Sequence, residues 1–478
     1  MGLKRRHQKK KHQQFDPQKA VKLDHKRKCY INDEPPRYPL IATPRQLQKR
    51  FHYYSESESE IEEINSEDES NTEYIESSTA EAKDLICMSS SCNDSGFKSG
   101  GTAPANQKNM LETSFTYAQY LAQHQTGKIT PPATTLPHFK NYTVNDFHFL
   151  AVLGTGAFGK VYLAEICNTE YYYAVKCLKK DVLIRDDNVD CTFTERKVLT
   201  LGTHHPYLCH LYSTFQTENH LFFVMDYLIG GDLMFHIQVN GRFSESQAKF
   251  FGAEIVSGLK FLHKKGIIYR DLKLDNILLD FDGHVRICDF GLCKLDIYLD
   301  RTAESFCGTP DYISPEIIMG QKYNQSTDWW SFGVLLYEML VGQSPFSGCD
   351  EDALFWSICN EIPWYPFYIS DYALNILGKL LDKKTNTRLG SPTSPHGEIT
   401  ENVFFHEIDW KKLERRQLES PFKPEIVRKT FMKHPLDTHY FDRAYTREKV
   451  RLPSIIDQIK PWDQEKFKEF SYTNPNVS

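Results

Sequence analysis

The sequence lacks the features that mark membrane-spanning and secreted proteins. None of its apolar runs reaches the eighteen residues that a membrane-spanning helix needs. No apolar core follows the basic N-terminus, so we expect no secretory signal. The 12 Cys show no paired spacing and lie mostly in apolar runs, which predicts free thiols in a reducing compartment rather than a disulfide framework. We therefore expect a cytoplasmic protein.

Strong net charge is also missing. The formal net charge is −6 over 478 residues, which points to no nucleic-acid partner. Residues 1–30 nevertheless contain eleven Lys or Arg against two Asp. Three interpretations of this basic segment stay open: a solvated tail, nuclear import, or weak contact with an anionic membrane.

The first 146 residues lack the composition of a folded domain. Residues 55–78 carry ten Asp or Glu among Ser and no basic residue. Such a segment buries too little apolar surface to offset its ordering entropy. It fits a solubilising spacer, a phosphorylated segment, or an electrostatic partner of the basic tail. We expect residues 1–146 to be disordered tail and linker.

From Phe147 onward the pattern becomes that of a folded domain. Apolar residues around 149–152, 161–164 and 172–177, joined by Gly-bearing turns, are typical of consecutive strands. Residues 188–201 have helical spacing, and Ser244 and Gln247 form a capping box that starts a longer helix. The almost uniformly apolar stretch 329–340 predicts a helix buried at the centre of a helical lobe.

These patterns together predict an α+β fold, in which a small β-rich lobe with one main helix precedes a larger α-helical lobe. We place this domain at residues 147–405 and a C-terminal tail at residues 406–478.

The densest group of functional side chains lies in residues 269–276, Tyr-Arg-Asp-Leu-Lys-Leu-Asp-Asn. This segment places a carboxylate, an ammonium and an amide within six residues, on Asp271, Lys273 and Asn276. Thirteen residues after Asn276 comes Asp289, the first residue of an Asp-Phe-Gly triplet. Carboxylate, ammonium and amide groups in apolar surroundings indicate a site that binds a charged ligand.

Two further signals lie upstream. Residues 154–161 form a Gly-rich turn between predicted strands, where backbone N–H groups can approach phosphate oxygens without a Cβ in the way. Taken alone, this turn is more simply a hairpin. Lys176 stands in an otherwise apolar strand, so its ammonium needs a counter-charge, and Glu195 on the next helix is the natural partner.

In this order the motifs match the protein-kinase signature set. The chain resembles a serine/threonine kinase of the AGC group, and specifically the catalytic half of a novel-type (delta/theta-like) protein kinase C. The resemblance implies a two-lobed kinase fold, ATP and Mg²⁺ as cofactors, and transfer of the γ-phosphate to a Ser or Thr hydroxyl.

The resemblance also implies roles for individual residues. Asp271 would accept or orient the substrate's hydroxyl proton, and Lys273 would steady the γ-phosphate. The ion pair of Lys176 and Glu195 would hold the α- and β-phosphates. The implied magnesium ligands are Asn276 and Asp289.

The implied nucleotide site combines the Gly-rich turn, the strand lysine, residues between 226 and 232 and one tail residue. Its members are Leu153, Gly154, Thr155, Gly156, Ala157, Phe158, Gly159, Lys160, Val161, Ala174, Lys176, Asp226, Leu228, Asp232 and Phe441.

Substrate choice is implied by acidic side chains. Asp232 and Asp275 match positions that meet Arg or Lys upstream of the phosphorylated residue, which predicts basic protein substrates. Thr309 matches the residue that favours Ser and Thr over Tyr. The acidic run 350–352 fits either a site for basic residues downstream or an exposed helix cap.

The resemblance further implies control by phosphorylation. Ser305 would receive a phosphate from an upstream kinase, with Arg270 as its acceptor. Residues 467–472 match the hydrophobic motif of the tail, whose aromatic anchors dock on the small lobe, with Ser471 as its phosphosite. Ser454 is offset from the expected turn-motif position.

Two departures from protein kinase C bear on regulation and reactivity. Residues 1–146 contain only three Cys, whereas a zinc-stapled lipid-binding finger needs six Cys and two His, so we expect no diacylglycerol binding. Cys288 stands directly before Asp289. It is either a buried core thiol or a thiol of the nucleotide pocket that can be alkylated.

Two rival classes of function remain. A pseudokinase scaffold is disfavoured because Lys176, Asp271, Asn276 and Asp289 are all present. A dinucleotide-binding enzyme would use the Gly-rich turn as its fingerprint but needs an acidic residue after a second parallel strand, where this chain has a Lys.

Overall fold

The structure, a computed structural model, describes residues 142–169, 171–298, 301–424 and 438–474. The predictions for residues 1–30 and 55–78, and for the Cys before residue 142, lie outside these ranges. Within them, no helix combines the length and the hydrophobicity that crossing a membrane requires.

The small lobe is built on a six-stranded antiparallel sheet, in the spatial order β1-β2-β3-β5-β4-β8. A separate two-stranded sheet, β6-β7, lies in the large lobe. The strands are β1 (Phe147–Gly156), β2 (Gly159–Ile166), β3 (Tyr172–Lys179), β4 (Leu211–Gln216), β5 (His220–Asp226), β6 (Ile277–Leu279), β7 (Val285–Ile287) and β8 (Tyr472–Thr473).

The helices alternate with these strands and then make up most of the large lobe. They are α1 (Lys180–Arg185), α2 (Val189–Gly202), α3 (Leu233–Asn240), α4 (Glu245–Lys264), α5 (Pro315–Ile318), α6 (Ser326–Val341), α7 (Glu351–Asn360), α8 (Asp371–Leu380), α9 (Trp410–Glu414), α10 (Arg443–Thr446) and α11 (Pro461–Gln464).

Strand β3 gives the small lobe its two faces. Because side chains alternate along a strand, Val175 and Cys177 pack into one apolar cluster with Phe222 of the neighbouring strand β5. Lys176 points to the opposite face, toward α2. Strand β2 begins at Gly159, where a Cβ would lie 1.8 Å from the Cys177 carbonyl oxygen, so only glycine allows the two strands this close.

The large lobe forms around α6, and every residue from Ser326 to Leu340 is buried. This confirms the predicted central helix. The predicted capping box is present at the start of α4, where Ser244 Oγ accepts from the Gln247 amide and Gln247 Oε1 accepts from the Ser244 amide. The fold is the predicted two-lobed α+β arrangement.

The end of the tail returns to the small lobe. Strand β8 pairs with the edge strand β4, and Phe467 and Phe470 are fully buried. The backbone around these rings is held by side chains of β4, since Thr214 Oγ1 donates to the Phe470 carbonyl at 2.6 Å and Gln216 Nε2 to the Phe467 carbonyl at 2.7 Å. The predicted docking of the tail on the small lobe is therefore present.

Candidate active site

Lys176 links the two lobes through its ammonium group. Its Nζ lies 2.6 Å from Glu195 Oε1 on α2 and 3.2 Å from Asp289 Oδ1. Burial alone would lower the pKa of Lys176, but the two carboxylates outweigh it and raise that pKa. The predicted counter-charge is thus Glu195, and Asp289 is a second one.

The loop that carries Asp271 is fixed by a buried carboxylate of α6. Asp328 accepts the backbone N–H groups of Tyr269 and Arg270, both at 2.9 Å. Arg270 has φ +68°, a left-handed conformation that is unfavourable for a non-glycine residue and needs such support. The two hydrogen bonds turn the chain so that Asp271 faces the cleft.

Asp271 is held by three polar side chains. Its Oδ1 accepts from Thr309 Oγ1 at 2.8 Å, and its Oδ2 accepts from Asn276 Nδ2 at 2.8 Å. Lys273 Nζ lies 3.2 Å from the same carboxylate and donates to Thr309 at 3.0 Å. Burial raises the pKa of Asp271, and Lys273 opposes that rise.

Asn276 and Asp289 lie on two segments that are bonded to each other. The Cys288 amide donates to the Asn276 carbonyl at 2.9 Å, and Asp289 has φ +53°. The charge of Lys176 lowers the pKa of Asp289, which keeps this carboxylate ionised. Asn276 uses its Nδ2 on Asp271, which leaves its amide oxygen as the atom to offer a cation. An amide and a carboxylate oxygen suit Mg²⁺.

An apolar cluster joins the Gly-rich hairpin to the segment after β5, where the sequence predicts the nucleotide site. Leu153, Val161 and Ala174 belong to one cluster there. Phe441 of the tail joins the cluster and stacks on Tyr227, with ring centroids 5.9 Å apart. The sequence predicted all of these residues except Tyr227, whose only signal was its place between Asp226 and Leu228.

The Gly-rich turn presents its tip to solvent. Thr155, Gly156 and Ala157 are exposed, and a Cβ at Gly154 or Gly156 would meet no atom within 4 Å. That open space is where phosphate oxygens would reach the backbone amides.

Two predicted nucleotide residues of the hairpin have other neighbours. The ammonium of Lys160 pairs with Glu448 of the tail, and Phe158 packs against the main hydrophobic core. Both contacts anchor the hairpin.

Side-chain contacts fix the end of β5 and the segment that follows it. The carboxylate of Asp226 lies 3.3 Å from His210 Nδ1 and 3.7 Å from Arg286 Nη1. Leu228 is buried. The backbone of this segment is therefore held in place beside the apolar cluster.

The acids predicted to bind substrate have distinct surroundings. Asp232 caps α3 by accepting from the Phe235 amide at 2.7 Å, while burial and the nearby charge of Asp275 raise its pKa to about 6. Asp275 itself is exposed. Asp350 accepts from the Ala353 amide at 2.8 Å, so this member of the acidic run is a helix cap.

Ser305 lies beside the cation predicted to receive its phosphate. Arg270 Nη1 donates to Ser305 Oγ at 2.6 Å and to Tyr323 Oη at 3.0 Å. Tyr323 in turn donates to the Ser305 carbonyl at 2.8 Å. The sequence alone did not indicate Tyr323, because no local pattern marks a tyrosine eighteen residues away as a partner of Ser305.

Glu316 and Arg388 form a bidentate ion pair. Arg388 Nη1 and Nη2 donate to the two carboxylate oxygens at 2.7 and 2.8 Å, and both side chains are almost fully buried. This pair fixes the end of the segment that contains Ser305 and Thr309 to the large lobe.

The hydrophobic motif docks against α2 and the sheet. The ring of Phe470 meets Phe193 and Phe223 edge-on, with centroids 6.0 and 5.2 Å away. Arg196 Nη1 donates to the Phe470 carbonyl at 2.8 Å, and the predicted phosphosite Ser471 is exposed. Because Phe193, Arg196 and Glu195 share α2, the tail supports the helix that holds Lys176.

Lys180 is a buried tail anchor that sequence reasoning missed. Its Nζ donates to Gln216 Oε1, the Thr217 carbonyl and Gln464 Oε1, each at 2.8 Å. Burial lowers its pKa to about 8. Its hydrogen-bond partners are uncharged and distant in sequence.

Cys288 is half-buried, and its thiol donates to the Arg286 carbonyl at 3.5 Å. The neighbouring Cys209 thiol and burial together raise the pKa of Cys288 well above its usual range. A thiolate is therefore disfavoured, which supports the core-thiol interpretation.

Comparison with known proteins gives two family matches. The protein kinase domain family matches residues 147–405, and the protein kinase C terminal domain matches residues 432–472.

Individual relatives agree with these matches. A putative protein kinase C delta type homolog of Drosophila melanogaster is 67% identical over 368 residues, which cover 77% of this chain and 54% of the relative. Protein kinase C-like 1 of Caenorhabditis elegans is 52% identical over 71% of this chain and 48% of its own length. Protein kinase C delta type of Mus musculus is 53% identical over 70% of this chain and 48% of its own length.

The chain thus spans about half the length of the curated relatives it matches. The match to a family over more than half of the chain agrees with the ion pair, the braced loop and the docked tail. The chain therefore belongs to the protein kinase family and, within it, to the protein kinase C-like members of the AGC group.

Proposed function

We propose that this chain is an ATP-dependent serine/threonine kinase that transfers the γ-phosphate of ATP to protein substrates rich in Arg and Lys. The observation that carries the proposal is the convergence of Lys176, Asp271 and Asp289 on one cleft, each with its supporting partner. Phosphoryl transfer asks a protein for in-line positioning and charge neutralisation more than for covalent chemistry.

The site divides these tasks among its side chains. Lys176, oriented by Glu195, binds phosphate oxygens, and Lys273 lies close enough to Asp271 to steady the terminal phosphate beside it. Asp271 accepts a hydrogen bond from the incoming hydroxyl and orients it. Mg²⁺, when held by Asn276 and Asp289, would neutralise charge on the phosphates.

Thr309 supports a preference for Ser and Thr. Its hydroxyl bridges Asp271 and Lys273. Thr309 therefore lies beside the carboxylate that would orient the substrate hydroxyl. The acids Asp232 and Asp275 support recognition of basic residues, because two neighbouring carboxylates attract cationic side chains.

We also propose that phosphorylation at Ser305 and Ser471, by an upstream kinase, raises activity. A phosphate on Ser305 would gain charge-assisted hydrogen bonds from Arg270, which already contacts its hydroxyl. A phosphate on Ser471 would strengthen the docked tail next to α2.

The regulatory proposals extend to the N-terminal segment. We propose weak contact of residues 1–30 with anionic membranes and no response to diacylglycerol, on the basis of charge and Cys count alone. Stimulation of the purified chain by diacylglycerol would contradict the second of these.

The test is phosphorylation of an Arg-rich Ser peptide, measured with purified wild type and with Lys176→Met, with and without lipid. We expect lipid-independent transfer by the wild type and none above background by the variant. A second peptide with its Arg replaced by Ala tests the substrate class, since it should be a much poorer substrate. Equal rates on both peptides would contradict the proposal that Asp232 and Asp275 recognise basic residues of the substrate.

A further inference from the structure

Arg416 has a backbone conformation that its residue type does not favour. It follows the C-terminal end of α9 with φ +53°. The Gln417 amide donates back to the Lys412 carbonyl at 2.8 Å, which is the helix-ending turn where glycine usually stands. Glycine at this position would avoid the conformational cost. We therefore expect the side chain of Arg416 to have a role that offsets it.

The guanidinium of Arg416 neutralises a buried carboxylate. Its Nη2 lies 2.6 Å from Asp280 Oδ2. Asp280 Oδ1 also accepts the backbone N–H groups of Asp282 and His284, both at 3.1 Å. Burial would raise the pKa of Asp280, but Arg416 and then Arg286 hold it below its usual range. Asp280 is therefore a fixed negative charge.

Arg286 of β7 lies between this charge and a second one. Its Nε is 3.7 Å from Asp280 Oδ2, and its Nη1 is 3.7 Å from Asp226 Oδ2. Nη1 also donates to the Leu208 carbonyl at 3.1 Å and lies 2.8 Å from His210 Nε2. The Nε is buried and has no hydrogen-bond partner among the described residues. Arg286 thus lies equally far from two carboxylates, and the hydrogen bond of its Nη1 to the Leu208 carbonyl holds that nitrogen on the side of Asp226.

Asp226 connects this network to the nucleotide pocket. It ends β5, and the chain continues directly into Tyr227 and Leu228. His210 Nδ1 lies 3.3 Å from Asp226 Oδ2, and burial next to Arg286 lowers the pKa of His210 to about 4. His210 is consequently neutral, so Arg286 is the cation that the Asp226 carboxylate faces here.

We propose that Arg416 is a positioning residue for nucleotide binding, because it neutralises Asp280 and so leaves Arg286 to hold Asp226 and the segment beside the nucleotide pocket. Without Arg416, the carboxylate of Asp280 would be buried with Arg286 as its remaining cation. Arg286 would then move toward Asp280, and its hold on Asp226 would weaken. The proposal rests on the proposed function, since it concerns how this chain binds ATP.

The proposal predicts that a second substitution, Asp280→Asn, restores the MgATP affinity that Arg416→Gly lowers. Arg416→Gly removes the guanidinium and relieves the backbone, and we expect it to weaken MgATP binding about tenfold, or ~1.4 kcal/mol. Adding Asp280→Asn removes the charge that competes for Arg286, while the amide oxygen still accepts the two backbone N–H groups. The double variant should therefore bind MgATP within about twofold of the wild type.

The measurement is MgATP affinity by calorimetry on the full chain, with KM for ATP and kcat alongside. We expect KM to follow Kd while kcat stays within about twofold, because no group that contacts the reacting atoms is changed. Asn168→Gly is the matched control, since Asn168 is an exposed residue with φ +65° that touches none of this network. It should leave the affinity unchanged.

Two results would overturn the inference: wild-type affinity in Arg416→Gly, or a double variant that binds no better than the single one. If Arg416→Gly does not fold, Arg416→Gln with and without Asp280→Asn gives the same comparison. A wild-type chain that binds no MgATP would instead contradict the proposed function, so the two failures are distinguishable.

Discussion

Lys176 has two carboxylates within 3.2 Å, and they differ in exposure. The Glu195 side chain is 5% exposed and that of Asp289 is 52% exposed. The buried partner fixes the position of the ammonium, whereas the exposed one can turn to a ligand. A single strand lysine therefore sets both the orientation of α2 and the charge state of Asp289.

Replacing Lys176 by Met should leave a folded protein that is nearly inactive. Met keeps much of the volume but removes the cation, so we expect kcat/KM to fall by at least about a hundredfold, the scale for removing one preorganised electrostatic group. The measurement is peptide phosphorylation together with thermal unfolding.

Lys179→Met is the control for this substitution, since Lys179 ends the same strand and makes no contact with Glu195 or Asp289 in the described structure. Comparable losses in both variants would show that the strand, and not the ammonium of Lys176, is responsible.

Individual residues also show which side-chain contacts can be predicted from the sequence. The partner of Lys176 was predictable because a charge in an apolar strand needs an opposite charge nearby. Lys180 and Arg416 were not predictable, because their partners lie far away in sequence. For Arg416 the decisive signal is a backbone angle, which no pattern of residue types reveals.

At the scale of elements, the segment between β7 and α6 is secured by the pair of Glu316 and Arg388. Burial opposes ionisation of Glu316, but the charge and hydrogen bonds of Arg388 outweigh it and lower the pKa of Glu316. A carboxyl whose pKa is lower in the folded state stabilises the fold above its unfolded pKa, and this contribution disappears as pH falls.

Glu316→Gln should therefore destabilise the protein strongly at neutral pH. It leaves Arg388, which is 0% exposed, without its counter-charge, and breaking such a pair costs about 3–5 kcal/mol. The difference from wild type should shrink as pH falls below about 4.5, the ordinary pKa of Glu. Urea unfolding at several pH values measures it.

The exposed pair of Glu304 and Lys322 provides the control, because both side chains are mostly in water. Glu304→Gln should not change the unfolding midpoint measurably. A pH-independent effect of Glu316→Gln would contradict the assigned role of its charge.

The docked tail is the second element whose contribution can be isolated. Phe470 is fully buried between Phe193 and Phe223, and truncating such a ring costs about 3–5 kcal/mol. Phe470→Ala should release β8, increase proteolysis of the tail and lower activity through α2. Trp462→Ala, on the same tail but with its ring 66% exposed, should do none of these. Unchanged proteolysis in Phe470→Ala would show that β8 docks without this ring.

Sequence reasoning was strongest for elements with a repeating pattern. The strands of the hairpin, the capped α4 and the central α6 were predicted because periodicity and caps are local signals. The acidic run at 350–352 shows the opposite case, since only the structure distinguishes the helix cap made by Asp350 from a binding site.

At the scale of the whole molecule, the two lobes and the tail form one continuous support for a single cleft. The sheet carries Lys176, the large lobe carries Asp271, and the tail supplies Phe441 to the pocket and Phe470 to α2. Each part alone is an ordinary packing arrangement. Together they bring the Asp271 and Asp289 carboxylates, the Asn276 amide and the ammonium groups of Lys176 and Lys273 to one place.

The most direct test of this account is the rate at which the purified chain transfers phosphate from ATP to an Arg-rich Ser peptide, compared between wild type and Asp271→Asn. Asn can still accept from Thr309 through its amide oxygen but is not a carboxylate, so we expect similar thermal stability and a rate about 10²–10⁴-fold lower. Equal rates, or no transfer by the wild type, would contradict the account.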